Sequence, residues 1–206
     1  MRTITHTSER SGEKPSTLDF QFIAGNLALD FVNTVGNRLS TPRDYLSDVV
    51  EFRRWARLAG FLGNQTPPWV TDPQLGLVRR VRGELYALFY RLATGHGLSR
   101  RALGEFNCRL SRVAEKRQLC LTKESLDWVW KTSRDDPDRV LAPILLSAAN
   151  LLVSQSRSLI RQCEDENCGW LFLDRSKAGT RRWCSMGDCG NRAKARRYYN
   201  THLTVS

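Results

Sequence analysis

Four cysteines close to the C-terminal end constrain this chain more than any other feature. Cys163, Cys168, Cys184 and Cys189 stand in the order C-x4-C-x15-C-x4-C. Two close pairs across such a gap match what one tetrahedral zinc ion takes from a short segment, each pair coming from one tight turn. Four thiolates close the coordination sphere, which makes the metal structural. A catalytic zinc keeps one position open and usually takes His or carboxylate ligands. The competing reading is four buried or redox-active thiols without metal. Cys108 and Cys120 have no close partner in the sequence and are expected to be buried thiols.

Between the two pairs the residues read as a hairpin. Cys168-Gly169 suits a knuckle, because Gly adopts backbone angles that other residues resist. Residues 170–173 read as one strand, 176–179 as a turn and 180–183 as the returning strand, with Trp170, Phe172 and Trp183 as a small core. A helix follows Cys189. Knuckle, hairpin, second pair and helix form a treble-clef-like arrangement. So short a module depends on its metal for folding free energy, on the order of 10 kcal/mol.

The remainder of the chain predicts a mainly α fold: a helical N-terminal domain with a small β-hairpin, over residues 17–160, joined to a zinc finger over 161–206. Residues 1–16 are polar, with Gly12 and Pro15, and read as a disordered leader. Apolar spacing gives helices over 26–37, 42–62 (Thr41 as N-cap, Pro42 first), 72–94 and 99–115, the last with Leu103, Phe106, Leu110 and Val113 inside. The Pro67-Pro68 pair marks a loop. Residues 119–122 and 126–130 read as a hairpin, with a short helix as the competing reading. A last helix over 137–162 is apolar almost all round, which predicts a buried central helix. It runs into Cys163 without a Pro/Gly linker, so the finger is expected to be docked.

Charge bears on partners. The chain carries +11, and residues 175–197 hold eight basic side chains against one acid, Asp188. Arg175, Lys177, Arg181, Arg182, Arg192, Lys194, Arg196 and Arg197 are therefore the candidate nucleic-acid-binding residues. On the last helix, Asn191, Ala195, Tyr198 and His202 share one side, which is expected to pack on the finger and leave the Arg and Lys residues outward. The alternatives are a solvated helix end, or Arg192 hydrogen-bonded inside the finger. RNA remains open beside DNA, since Trp170, Trp183, Tyr198 and Tyr199 have faces that stack on bases.

No apolar run approaches a bilayer span, and the N-terminus lacks the apolar core of a signal peptide. A cytoplasmic protein is expected, where paired cysteines bind metal more often than they form disulfides. His6, His96 and His202 form no recognisable catalytic spacing, and no phosphate-cradling Gly-rich loop is present, so no enzyme is expected. Asp30, Asn33, Thr34 and Arg38 cluster on or just after the first helix. They are candidate effector-binding residues, with a hydrogen-bonded helix face as the plainer alternative.

Cys189-Gly190-Asn191-Arg192, closing the two cysteine pairs, resembles the CGNR zinc finger. Residues 28–34, Ala-Leu-Asp-Phe-Val-Asn-Thr, resemble the start of the ABATE-type helical domain that accompanies it, in a family described as stress-induced transcription regulators. Together the resemblance covers residues 18–202. It implies a bacterial regulator with a sensor-like helical domain, the four cysteines as ligands of one zinc, and the basic helix as a nucleic-acid surface, with double-stranded DNA as the expected partner. A single finger has a small footprint, so sequence-specific binding calls for a homodimer, although no segment stands out as a dimerisation element. The rival function is a ligand-binding or protein-interaction protein whose finger is a structural clasp.

Overall fold

The computed structural model describes residues 20–60, 71–121, 123, 125–132 and 136–202. The leader over 1–16 and the Pro67-Pro68 loop lie outside them. Helix α1 (Leu27–Val32) opens the described fold, capped by the Asn26 side chain accepting the Ala28 amide at 2.9 Å. Strand β1 (Val35–Gly36) pairs antiparallel with β2 (Arg43–Asp44), and α2 (Val49–Leu58) follows. The long helices α3 (Asp72–Ala93) and α4 (Arg100–Glu115) lie where spacing and caps predict. Gln74 accepts the Thr71 amide at 2.7 Å, and Ser99 accepts the Ala102 amide at 3.1 Å. Strands β3 (Arg117–Leu121) and β4 (Leu126–Trp130) form the expected hairpin, with Leu119 opposite Trp128.

Helix α5 (Pro137–Val153) is the centre. Its Val140, Leu141, Ile144, Leu145 and Ala148 are buried, and α1, α3 and α4 pack around it. The chain then passes through a 3-10 turn (Gln155–Leu159) into β5 (Ile160–Gln162), which pairs antiparallel with β6 (Leu171–Leu173). The C-terminal helix is α6 (Asn191–His202). The molecule is thus mainly helical with small hairpins and a cysteine-rich C-terminal module. One continuous cluster of buried side chains runs from Ala24 through α5 to the four cysteines.

Four sequence expectations fail in informative ways. The first helix stops at Val32 rather than near residue 37, because Thr34 accepts the Tyr45 amide at 2.8 Å and the chain enters β1. The second begins at Val49 rather than Pro42. Asp48 caps it, while Arg82 grips Asp44 through both terminal guanidinium nitrogens at 2.7 and 2.6 Å and holds that segment extended. The last long helix ends at Val153 rather than 162, because residues 160–162 join a sheet. That sheet changes the finger: the partner of 171–173 is the strand before the first cysteine, and residues 180–183 form no strand. The first cysteine pair therefore sits in the loop of the β5–β6 hairpin. Smaller departures are Leu103, 38% exposed, and Cys108 and Cys120, both exposed on the outer faces of α4 and β3. Among the described residues no helix is long and apolar enough to cross a membrane.

Candidate metal centre and basic face

Each ligand is delivered by a local device. The Cys163 amide donates to the Trp170 carbonyl at 2.8 Å, continuing the β5–β6 ladder to the first ligand. Asp165 then turns the chain, accepting the Asn167 amide at 3.1 Å, and its carbonyl receives the Cys168 amide. Gly169 has φ +70°, as the knuckle requires. A Cβ there would also lie 2.9 Å from the Arg38 Cβ. On the second side, Ser185 caps a single wide turn (Met186–Gly190) that carries Cys189 into α6. Asn191 ties that turn by donating to the Gly187 carbonyl at 2.8 Å.

The four Sγ atoms lie within 4.8 Å of one another and all four residues are buried. Cys168 to Cys184 is 3.7 Å and Cys184 to Cys189 is 3.5 Å. Zinc–sulfur bonds of about 2.3 Å put tetrahedral sulfurs about 3.8 Å apart, so the donor set fits. The Cys184 amide points at the Cys163 sulfur at 3.4 Å. Hydrogen bonding from Cys168 holds the Cys163 thiol below its ordinary range, while hydrogen bonding with Cys163, reinforced by burial, pushes the Cys184 thiol up. A divalent cation resolves that competition for protons by taking all four as thiolates.

The basic side chains divide into two sets. Arg192 donates to the Cys189 sulfur at 3.0 Å and to Asp165 at 3.2 Å. Arg196 reaches the same Asp165 oxygen at 3.1 Å and Glu166 at 3.1 Å. Asp165 is fully buried. Burial pushes its carboxyl up, but the Asn167 amide and the guanidiniums of Arg196 and Arg192 outweigh it and hold the group below the usual carboxylate range. Arg181 donates to the Trp183 and Cys184 carbonyls and lies over the Phe172 ring. Arg182 pairs with Glu164 and lies over Trp183, and Arg175 reaches the Gly25 carbonyl at 3.4 Å. Lys177, Lys194 and Arg197 form the second set; among the described residues their charged groups have no partner.

This reverses the expected orientation of the last helix. Arg192, Ala193 and Arg196 face the finger, whereas Tyr198 and Tyr199 are 61% and 57% exposed and His202 stacks on Tyr198. The reason is electrostatic: a buried carboxylate and a thiolate cluster attract guanidiniums more strongly than two tyrosines gain by burial. Trp170 and Phe172 are core residues, as expected, and Trp183 is half-buried.

The four candidate effector residues also have partners within the chain. Asp30 accepts the Ala24 amide at 2.9 Å, and burial pushes its carboxyl up to about 6 against the pull of the Ala24 and Ile23 amides. Asn33 donates to the Leu171 carbonyl at 2.8 Å and accepts the Leu171 amide at 2.9 Å. Thr34 accepts from Arg82 at 3.0 Å. Arg38 donates to the Val32 carbonyl and lies 3.8 Å over the Tyr86 ring. The polar side of α1 is thus the seam onto which the finger docks. Trp170 Nε1 donates to the Val35 carbonyl at 2.9 Å and Tyr86 to the Gly169 carbonyl at 2.8 Å, and the Arg38 amide donates to the Cys168 carbonyl at 3.1 Å.

Two family models match this chain. The CGNR zinc finger covers residues 160–202, and the ABATE model, described as "Putative stress-induced transcription regulator", covers residues 25–155, more than half of the sequence. The chain belongs to the ABATE family. Among proteins of curated function, none matches it. In this ABATE protein the four cysteines form the site of one structural zinc ion. Sequence reasoning missed Asp165, Asp44, Arg82 and Tyr86 as organisers of the site. The acidic run Glu164-Asp165-Glu166 between the first two cysteines, facing the basic stretch over 175–197, was the available signal for Asp165. Nothing local marked the others.

Proposed function

We propose that this protein is a zinc-dependent, DNA-binding transcription regulator whose helical domain senses a small effector. The carrying observation is the cationic remainder of the finger. After Arg181, Arg192 and Arg196 are engaged internally, Lys177, Lys194 and Arg197 stay exposed without a partner among the described residues, on a chain of net charge +11. Side chains of that kind contact phosphates and release counterions. The family description points the same way. Arg175 and Arg182, with weak or exposed internal contacts, can join them. A homodimer belongs to the reading, because one finger covers few base pairs. So does a cytoplasmic location, where thiols stay reduced. No catalytic step is assigned.

The test is fluorescence-anisotropy titration of zinc-loaded and zinc-stripped protein against random duplex DNA across a salt series. Binding is expected to need zinc and to fall steeply with salt. Lys194→Ala and Arg197→Ala should each lower the salt slope by about one. No binding at low salt would remove the DNA reading.

The internal pairing of Arg192 and Arg196 with Asp165 favours a second reading, in which the finger is a clasp within a ligand-binding or protein-interaction protein. Failure of the folded protein to be retained on heparin at moderate salt would select it.

A further inference from the structure

Helices α3 and α4 do not close on each other along their whole length. Between them lies a cleft of about 160 Å³, floored by Leu145 of α5. Its walls are Val81, Leu85 and Leu88 of α3 and Ala102 and Phe106 of α4. The space is close to that of cavities, on the order of 150 Å³, that stay dry and take up a single benzene ring. Here the small side chains of Ala87 and Ala102 keep it open.

The rim is polar on one side. Arg109 donates to Glu84 through Nε and Nη2, both at 2.7 Å, which fixes the guanidinium at the cleft. Its other terminal nitrogen, Nη1, has no partner among the described residues, leaving N–H groups to meet an oxygen. We propose that the α3–α4–α5 cleft is a binding site for a single-ring aromatic molecule carrying a hydrogen-bond-accepting oxygen. The ring fills the apolar floor, and the oxygen accepts from Arg109. Most pockets of this kind combine an apolar body with one or two placed polar groups.

The inference deepens the sensing part of the proposed function and rests on it for its biological role. The link runs through α3. One face of that helix lines the cleft; the other presents Tyr86 to the Gly169 carbonyl and Arg82 to Asp44. The same rigid element therefore touches the ligand space and the zinc knuckle.

Benzoate, phenol and toluene are the probes, titrated against the full zinc-loaded chain with the thermal midpoint as readout. Benzoate and phenol should raise the midpoint saturably, and toluene should do so more weakly. Ala102→Phe should abolish all three shifts with zinc content and helical circular dichroism unchanged. Arg109→Gln should weaken benzoate about tenfold and leave toluene unaltered. No saturable shift with any probe, or shifts that survive Ala102→Phe, would overturn the proposal. If Ala102→Phe does not fold, nuclear Overhauser contacts from toluene to the Leu85, Leu88 and Leu145 methyls replace it; saturable binding without them also overturns it. This arm contains no DNA. Saturating benzoate that leaves DNA affinity unchanged removes the sensing reading and not the cleft.

Discussion

Arg192 is the residue on which two roles meet. It bridges the Cys189 sulfur and the buried Asp165, so truncation leaves one acid poorly compensated and one thiolate without its donor. Arg192→Ala should destabilise the fold by about 2 kcal/mol and weaken zinc binding by roughly tenfold, read by urea unfolding and chelator competition. Lys194→Ala, two residues on, should change stability by less than about 0.5 kcal/mol. The contrast separates metal support from surface charge. Asp30 makes a second residue-scale prediction. Its folded pKa is raised to about 6 from an unfolded value of 3.8. Between those values the folded chain holds a proton that the unfolded chain has released, so this residue's contribution falls as pH rises from 4 through 6. Relative to the parent, Asp30→Asn should gain up to about 3 kcal/mol on going from pH 4 to pH 7, measured from urea midpoints.

Among elements, the knuckle at Gly169 is the most exacting. A positive φ and the backbone-attached Cβ of Arg38 both exclude a side chain there. Gly169→Ala should cost about 2 kcal/mol by differential scanning calorimetry, with zinc still bound. What was legible in the sequence follows from the range of the forces. The N-terminal ends of α3 and α4 are set by Gln74 and Ser99, close to the residues they cap, and two short runs rich in apolar and aromatic residues about a polar turn mark the β3–β4 hairpin. The four ligands are legible because a metal demands a fixed donor set at short spacing. The errors fall where distant partners decide. Asp44 is held extended by Arg82 and Ile160–Gln162 by Leu171–Leu173; neither has a local signature. The orientation of α6 was misread for the same reason. Asp165, not the helix's own apolar stripe, chooses its inward face.

For the whole molecule, the decisive fact is a shared core. Ile160, Leu171 and Phe172 belong to the same buried cluster as Phe31 and Phe89. Removing zinc with a chelator should therefore lower one common transition rather than release a separately melting finger. Tryptophan fluorescence, to which Trp170 and Trp183 of the finger contribute, would report it together with far-UV circular dichroism of the helices; two well-separated transitions would contradict the shared core. The paired hydrogen bonds between Asn33 and Leu171 have a consequence in time. A ribosome delivers Asn33, at the end of α1, early and the strand that satisfies its amide only after the whole helical domain. Until that strand emerges, a polar group destined for burial has no protein partner. Completion of the N-terminal domain is thereby tied to synthesis of the finger's β6 strand, and a message broken before Leu171 yields a chain that chaperones and proteases can recognise as unfinished.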